Sequence, residues 1–391
     1  MMLYARTMIL LAAFAWHCAA ARATGPVAAP PCGDVTSPPV SAALRTGIRH
    51  LHNLDLDEAD AAFQRALALS GDHPLGHLYR AFTGIMRIAT EGSSPEEERH
   101  VARETDTALR GGLALLRGTN DPWARLAVGV ACLLESRWSG TKYDRLDALR
   151  LLKRGLTHIE KAYHDAPAMT DALVVLGAYR YFASYLPWYL RTLNALFVLP
   201  ADRRRGLQEL EAAAAQARFA STEASLALAA AYSWENDPER ALGLIEALQR
   251  VFPDNVCFTA LQQRILLRAH RPAEALVLAT NTLRRLEADQ RVYISGWLAD
   301  QQYELGLIQL AQTNYAAALT AFGLAQTLGA HKPWMQDWSL LRQGTMYDLQ
   351  GLRVPARRCY QAVEAAPHDS ALVRHYATRF LQTPYAGEEL E

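Results

Sequence analysis

A short pattern of small and large side chains recurs five times along this chain of 391 residues. Each copy begins with alanine, and the next members follow four and then three positions later. Steps of four and three residues keep all members on one face of an α-helix. The pattern therefore predicts five helices that bury the same face. The copies are Ala59, Phe63 and Ala66; Ala241, Ile245 and Leu248; Ala275, Ala279 and Thr282; Ala318, Phe322 and Ala325; and Ala356, Tyr360 and Val363.

Residues 221–254 show the larger unit to which one copy belongs. A first helix is followed by a turn at 235–238, a second helix starts at Pro238, and Pro253 ends it. Small residues in the first helix, such as Gly306 in a later unit, allow the two helices to approach closely. One helix pair cannot bury its apolar face alone, so we expect successive pairs to stack.

This arrangement resembles the tetratricopeptide repeat (TPR), in which Leu-Gly and Tyr in one helix precede Ala, Phe and Ala in the next. Leu305, Gly306, Ala318, Phe322 and Ala325 match that pattern. The resemblance implies an all-α fold, a TPR-like α-solenoid whose antiparallel helix pairs form a right-handed superhelix. The steps between copies from Ala241 onward are 34, 43 and 38 residues, so some pairs need longer loops or helices than the 34-residue repeat.

The match to the repeat varies along the chain. We expect an N-terminal TPR-like unit over 41–74, irregular helical repeats or a separate helical subdomain over 75–220, a regular TPR array over 221–383 and a C-terminal tail over 384–391. Breaks at Pro, Gly, Asn and Asp divide the irregular part into helices. They are predicted at about 75–90, 95–116, 122–138, 144–164, 168–183, 186–197 and 201–218.

One stretch, 177–211, departs from the plain repeat. It is similar to a segment of exported bacterial TPR proteins and, more weakly, to the eukaryotic TPR family associated with inclusion-body clearance. That resemblance implies a binding or assembly role and no catalysis. The matching residues are Gly177, Tyr179, Phe182, Ser184, Leu186, Pro187, Gly206, Leu207 and Leu210.

The N-terminus has the features of a secretory signal peptide over 1–23. Arg6 precedes an apolar run that is too short to span a bilayer, and Ala21-Arg22-Ala23 is an A-x-A cleavage site. We expect export to the periplasm or cell envelope, with an uncleaved anchor or an overcalled start of the chain as the alternatives. A Pro-rich linker outside the core is predicted over 24–40.

Four cysteines follow the predicted cleavage site: Cys32, Cys132, Cys257 and Cys359. No pair has the Cys-x-x-Cys spacing of zinc ribbons or redox sites. Buried free thiols and a disulfide between distant repeats both remain open. Lipidation is disfavoured because Cys18 follows bulky residues and Cys32 lies beyond the apolar run.

The chemistry-bearing motifs of common enzyme classes are absent from the sequence. There is no phosphate-binding Gly-rich loop, dinucleotide fingerprint, nucleophile elbow or His-Glu-x-x-His helix. We predict no catalytic residue, no cofactor and no metal. His158 and His164 lie on different faces of a helix, which disfavours a metal site. With 40 basic and 40 acidic side chains, the chain also lacks the positive charge that nucleic-acid binding requires.

We expect a protein or peptide partner on the concave face of the array, lined by the first helix of each pair. The residues that we predict to bind this partner have aromatic or arginine side chains, the types enriched in binding hot spots. An acidic partner or lipid could also meet the arginines at 203–205, and dense aromatics at 179–189 could instead be core. The predicted partner-binding residues are Trp234, Arg264, Arg268, Tyr303, Tyr185, Trp188 and Arg204.

The leading functional hypothesis is thus a non-catalytic exported TPR scaffold. The alternatives are a component of an outer-membrane or secretion assembly, with membrane association through a partner, and a small-molecule binder or enzyme with a pocket in 75–220. Partner identity and oligomeric state are beyond what the sequence determines.

Overall fold

The computed structural model describes residues 33–92, 94–142, 145–289, 294–367, 370–387 and 390. The predicted signal peptide, Cys32 and the beginning of the predicted linker lie outside the described residues. Within them the regular elements are helices, and no strand is present. Those helices are α1 Pro38–Asn53, α2 Leu56–Ser70, α3 Pro74–Glu91, α4 Pro95–Leu115, α5 Pro122–Lys142, α6 Arg145–Asp165, α7 Asp171–Ala183, α8 Trp188–Phe197, α9 Arg203–Gln216, α10 Ser221–Trp234, α11 Pro238–Val251, α12 Val256–Arg268, α13 Pro272–Ala288, α14 Ile294–Ala311, α15 Tyr315–Leu328, α16 Pro333–Leu349, α17 Arg353–Ala365 and α18 Ala371–Gln382.

The prediction of an all-α, TPR-like stack of helix pairs is confirmed. α1 packs against α2, α10 against α11, α12 against α13, α14 against α15 and α16 against α17. All members of the five recurring copies are buried, and they lie on the second helix of these pairs. In the pair α14–α15, a Cβ added to Gly306 would meet the ring of Phe322, so the helices pack at backbone distance. Gly47 faces Phe63 and Gly344 faces Tyr360 in the same way.

The turns of these five pairs share one backbone conformation. The residue two positions before the second helix has a positive φ: 65° at Leu54, 59° at Asn236, 56° at His270, 59° at Thr313 and 73° at Gly351. The next N–H bonds back to a carbonyl five residues earlier, as from Asn314 to Gln309 at 2.9 Å. A left-handed residue with this bond ends a helix sharply. The turn geometry therefore repeats more strictly than the residues that form it.

The described chain divides into two compact units. One contains the described residues of Met1–Ile88 and Ser94–Asn255, and the other those of Ala89–Ser93 and Val256–Glu391. This division differs from the boundary expected at 220/221. α10 packs against both α7 and α9, so the pair α10–α11 belongs with the preceding helices.

The predicted ends of the array need correction. The linker expected over 24–40 is wrong at its described end, because Val35 and Val40 are buried in the core and α1 begins at Pro38. The expected C-terminal tail over 384–391 is also partly docked. Tyr385 is buried, its N–H donates to Asp348 Oδ2 at 2.9 Å, and its ring contacts Phe380.

The irregular region also consists of paired helices in the first unit. α5 packs against α6, and α7 packs against α9, with α8 inserted between the last two in sequence. At the contact of α7 with α9, a Cβ on Gly177 would lie 2.9 Å from the carbonyl oxygen of Gly206. The backbones meet there without intervening side chains, so both glycines are needed for this approach.

Candidate functional site

The first helices of successive pairs in the second unit form a row. α12 packs against α14, α14 against α16, and α16 against α18. Side chains from consecutive repeats therefore meet along this row. It is the surface on which the sequence predicted Arg264, Arg268 and Tyr303 to bind a partner.

Two polar contacts join α12 to α14, and we call their four residues the polar ladder. Gln263 Nε2 donates to Gln301 Oε1 at 3.0 Å, and Arg264 Nε donates to Glu304 Oε1 at 2.9 Å. The Glu304 side chain is 4% exposed, whereas that of Arg264 is 22% exposed. A carboxylate at this depth requires a charged partner, which Arg264 supplies from the more open side.

The polar ladder does not satisfy all of its own atoms. Gln263 Oε1 and Glu304 Oε2 are buried acceptors without a hydrogen-bond partner among the described residues, and Arg342 Nε on α16 is a buried donor without one. Unpaired buried polar atoms cost about 1–3 kcal/mol each and are rare in folded proteins. The row of first helices therefore has hydrogen-bonding capacity that its own packing leaves unused.

Further charged groups link α14 to the start of α16. Lys332 Nζ donates to Asp300 Oδ2 at 2.8 Å and to the carbonyl oxygen of Gly296 at 3.1 Å. Burial raises the pKa of Asp300, and the ammonium of Lys332 opposes that rise. Burial also raises the pKa of Tyr303, against the opposing effect of Arg342. Charge in this part of the row is thus held in pairs.

The three predicted residues in this unit have different surroundings. Arg264 belongs to the polar ladder, and Arg268 is exposed at the end of α12. Tyr303 was predicted to face the partner, and that prediction is wrong because its side chain is buried. Its ring contacts Phe322 of α15 and Trp334 of α16, so α14 is covered on this side by two neighbouring helices.

The other four predicted residues lie in the first unit. Trp234 at the end of α10 packs edge-on against Tyr185, with ring centroids 4.6 Å apart. Trp188 is 74% exposed at the start of α8, and Arg204 is exposed in the first turn of α9. The structure thus brings Trp234 and Tyr185 together and leaves Trp188 and Arg204 at the surface.

The aromatic pair Trp234–Tyr185 adjoins a charged contact that the sequence analysis missed. The Arg203 guanidinium lies over the Tyr185 ring, 5.6 Å from its centroid, and Arg203 Nε donates to Glu235 Oε1 at 2.7 Å. Arg203 lowers the pKa of Glu235, which also accepts a hydrogen bond from the Tyr181 hydroxyl. The sequence offered one signal for this contact, because Glu235 directly follows the predicted binding residue Trp234.

The polar ladder was also missed, apart from Arg264. Gln263, Gln301 and Glu304 are polar residues within the first helices of two successive pairs. Their partners lie 38 to 40 residues away, on the corresponding helix of the next pair. The sequence does not show which polar residue of that helix is the partner.

The pocket considered for the irregular region is not supported by its aromatic residues. The hydroxyl of Tyr179 donates to Asn194 Oδ1, Tyr185 packs on Trp234, and Trp188 faces outward. The described residues also contain no group of three or more side chains able to hold a metal ion. His158 is half-buried, and burial, with Arg154 and Arg125 nearby, lowers its pKa.

No protein-family model matches this chain, and no curated protein matches its sequence. The chain is similar to several solved structures. A tetratricopeptide repeat protein from Parabacteroides merdae has 13% sequence identity and a TM-score of 0.37, covering 78% of this chain and 98% of that one.

Yeast Tom70 has 10% identity and a TM-score of 0.42, covering 85% of this chain and 86% of that one. The TPR domain of P58(IPK) has 13% identity and a TM-score of 0.24, covering 88% of this chain and 98% of that domain. The repeats are defined by the helix contacts of this chain itself.

Proposed function

We propose that this protein is a non-catalytic, exported scaffold that binds a protein or peptide segment along the row of first helices in its second unit. The observation that carries the proposal is that the polar ladder reaches the surface at Arg264, whose side chain is 22% exposed, while its other three members are buried. The guanidinium of Arg264 is a donor, so the complementary groups on a partner are acceptors such as carboxylate or carbonyl oxygens.

A peptide is the ligand class that suits this surface. An extended segment presents N–H and C=O groups at regular spacing, and a helical array repeats its side chains at regular intervals. Arg264 supplies a donor at the partly exposed side of the polar ladder, and exposed Arg268 adds positive charge at the end of α12. The recognised segment therefore presents carboxylate or carbonyl oxygens to these two arginines.

Photo-crosslinking in the cell envelope tests the site. A benzophenone amino acid replaces Arg268 on α12 in one protein and Val277 on α13 in the matched control, since both positions are exposed in neighbouring helices of the same unit. We expect a discrete crosslinked partner from position 268 and not from position 277. Equal crosslinking at the two positions, or none at 268, would contradict the assigned surface.

The export part of the proposal has its own test. Sequencing of the mature N-terminus is expected to begin at Thr24, and fractionation is expected to place the protein in the envelope. A chain that retains Met1 and stays in the cytoplasm would refute export without bearing on peptide binding by the polar ladder.

A further inference from the structure

The segment between α7 and α9 leaves the helix pair and returns to it. After α7 ends at Ala183, the chain comes back at Asp202, whose N–H donates to the carbonyl oxygen of Arg180 at 3.2 Å. Gly177 and Gly206 already bring α7 and α9 into backbone contact. The pair is therefore closed without α8, which is an addition to it.

α8 exposes apolar side chains that a water-soluble surface helix would bury. Trp188 is 74% exposed, Leu196 70%, Tyr189 53% and Leu190 39%. An α-helix turns by 3.6 residues, so the consecutive residues Trp188, Tyr189 and Leu190 point to different sides. Their shared exposure means that α8 stands away from the rest of its unit over much of its circumference.

A small polar contact tethers α8 to the unit. Asn194 Nδ2 donates to the carbonyl oxygen of Leu199 at 2.7 Å, and Asn194 Oδ1 accepts from the hydroxyl of Tyr179 on α7. With this contact made, the side chains of Trp188, Tyr189, Leu190 and Leu196 remain exposed to solvent. An exposed apolar group of this size marks an interaction site rather than ordinary surface.

The charged residues of the segment that contains α8 are all basic. No aspartate or glutamate occurs over 172–201, and α8 itself carries exposed Arg191. Of the three arginines that begin α9, Arg203 pairs with Glu235 and Arg205 pairs with Glu209. Arg204, between them, is exposed and is available to an anionic surface.

We propose that α8 binds directly to the interfacial layer of a lipid bilayer that contains anionic headgroups. Tryptophan and tyrosine favour that layer, apolar side chains enter the acyl boundary, and arginines at its edge meet the headgroup phosphates. At ten residues α8 is too short to cross the membrane.

No helix in the described part of the chain has the length and apolar character to span a bilayer. The attachment is therefore peripheral and depends on both apolar contact and charge. It is independent of the peptide site in the second unit, so either proposal can fail without the other.

Co-sedimentation with vesicles tests the attachment. Full-length protein is mixed with vesicles of phosphatidylcholine alone or with equal phosphatidylglycerol, and the variant W188S/L196S is compared with the control L69S/V277S. The control residues are apolar and 54% and 60% exposed, on α2 and α13. We expect binding to the anionic vesicles that W188S/L196S weakens about tenfold or more and the control leaves unchanged, because removing buried apolar area lowers interfacial affinity.

The charge component is tested by the variant R191Q/R204Q. We expect a loss of about 30-fold on anionic vesicles, roughly fivefold for each arginine, and little change on neutral ones. High salt is expected to reduce wild-type binding and to have less effect on this variant.

A residue-specific probe separates α8 from the N-terminal residues of the full chain. In a background with Cys18 and Cys32 changed to serine, the environment-sensitive dye NBD is attached at L196C or, as the control, at L69C. We expect a blue shift and a several-fold rise in emission at position 196 on anionic vesicles and no change at position 69.

Equal dye responses at the two positions, or equal vesicle binding by W188S/L196S and the wild type, would overturn the proposal. So would a wild-type dimer in analytical ultracentrifugation that W188S/L196S dissociates, because α8 would then be covered by a second copy.

Discussion

The ring of Phe322 on α15 packs directly against the backbone of α14 at Gly306, where an added Cβ would lie 2.6 Å from Phe322 Cε1. Phe322 is fully buried, so its ring has no free space into which it could move away from an added methyl group. The glycine and the ring thus form one packing unit, repeated at Gly47 with Phe63 and at Gly344 with Tyr360.

Gly306→Ala is expected to lower the free energy of unfolding by about 1–3 kcal/mol, because the added methyl group overpacks the contact. Gly323→Ala on α15 is the matched control, since no atom lies within 4 Å of its added Cβ. It is expected to raise stability by up to about 1 kcal/mol through helix propensity. Urea unfolding followed by circular dichroism measures both, and two changes of the same sign would contradict the packing argument.

The left-handed position of the repeated turn can be tested by exchanging threonine and glycine between two of its copies. Thr313 is β-branched and has a φ of 59°, whereas Gly351 occupies the equivalent position of the next pair with a φ of 73°. We expect Thr313→Gly to stabilise and Gly351→Thr to destabilise, each by about 1 kcal/mol, because a side chain strains the left-handed conformation. Thermal unfolding of the two variants tests this, and a loss of stability in Thr313→Gly would show that the threonine side chain is needed there.

Removing only one charge of the ion pair between Arg264 and Glu304 is expected to lower the free energy of unfolding strongly. Arg264→Met leaves the carboxylate of Glu304 buried and unpaired, which is expected to cost about 3 kcal/mol of stability. The double variant R264M/E304L replaces both charges with apolar groups and is expected to recover most of that loss while abolishing partner crosslinking. Equal stability of the single and double variants would mean that Glu304 is not held by Arg264.

Stability is expected to decrease below neutral pH partly because of His158. Burial lowers the pKa of its imidazole in the folded state, so the unfolded chain takes up a proton at about pH 6.5 while the folded chain does not. The stability that His158 contributes is present above pH 6.5. It is lost as the pH falls through the pKa that His158 has in the folded state, which is lower than 6.5. His158→Gln is expected to flatten that dependence.

Urea midpoints at pH 7.5 and pH 5 measure this effect, and His375→Gln, at an exposed position on α18, serves as the control for loss of a histidine. The same pH dependence in His158→Gln and in the wild type would contradict the assignment.

Two of the cysteines, Cys132 and Cys257, are expected to react slowly while the protein is folded. Cys132, Cys257 and Cys359 are not joined by a disulfide in the described part of the chain. Burial, with Asp300 nearby, raises the pKa of Cys257 to about 12, and burial raises that of Cys132 to about 11. Because the thiolate is the reactive form, iodoacetamide at pH 8 is expected to label neither residue before denaturation. Peptide mass mapping after native and denatured labelling tests this, and rapid native labelling of Cys257 would show that its helix opens locally.

The repeat was predictable because its signal is local. Ala318, Phe322 and Ala325 lie on one helical face, and their spacing alone identifies the buried side. Helix ends were also close to prediction where prolines begin them, as at Pro95 and Pro122. Short-range sequence patterns therefore determine both the helices and the faces they bury.

Contacts that span two repeats were less predictable. Tyr303 was assigned to an open face because only its own pair was considered, but Trp334 from the following pair covers the ring. The polar ladder depends on the register between helices 40 residues apart, as for Arg264 and Glu304. That register depends on loop lengths, which vary from pair to pair.

Because Gly177 and Gly206 join α7 to α9 directly, α8 (Trp188–Phe197) works as an exchangeable cassette between two helices that pack without it. A connection of ordinary hairpin length closes the same two helices, so the sequence of the cassette is released from the demands of folding. New attachment properties can therefore evolve, or be engineered, at this one position while the neighbouring hairpins keep their packing.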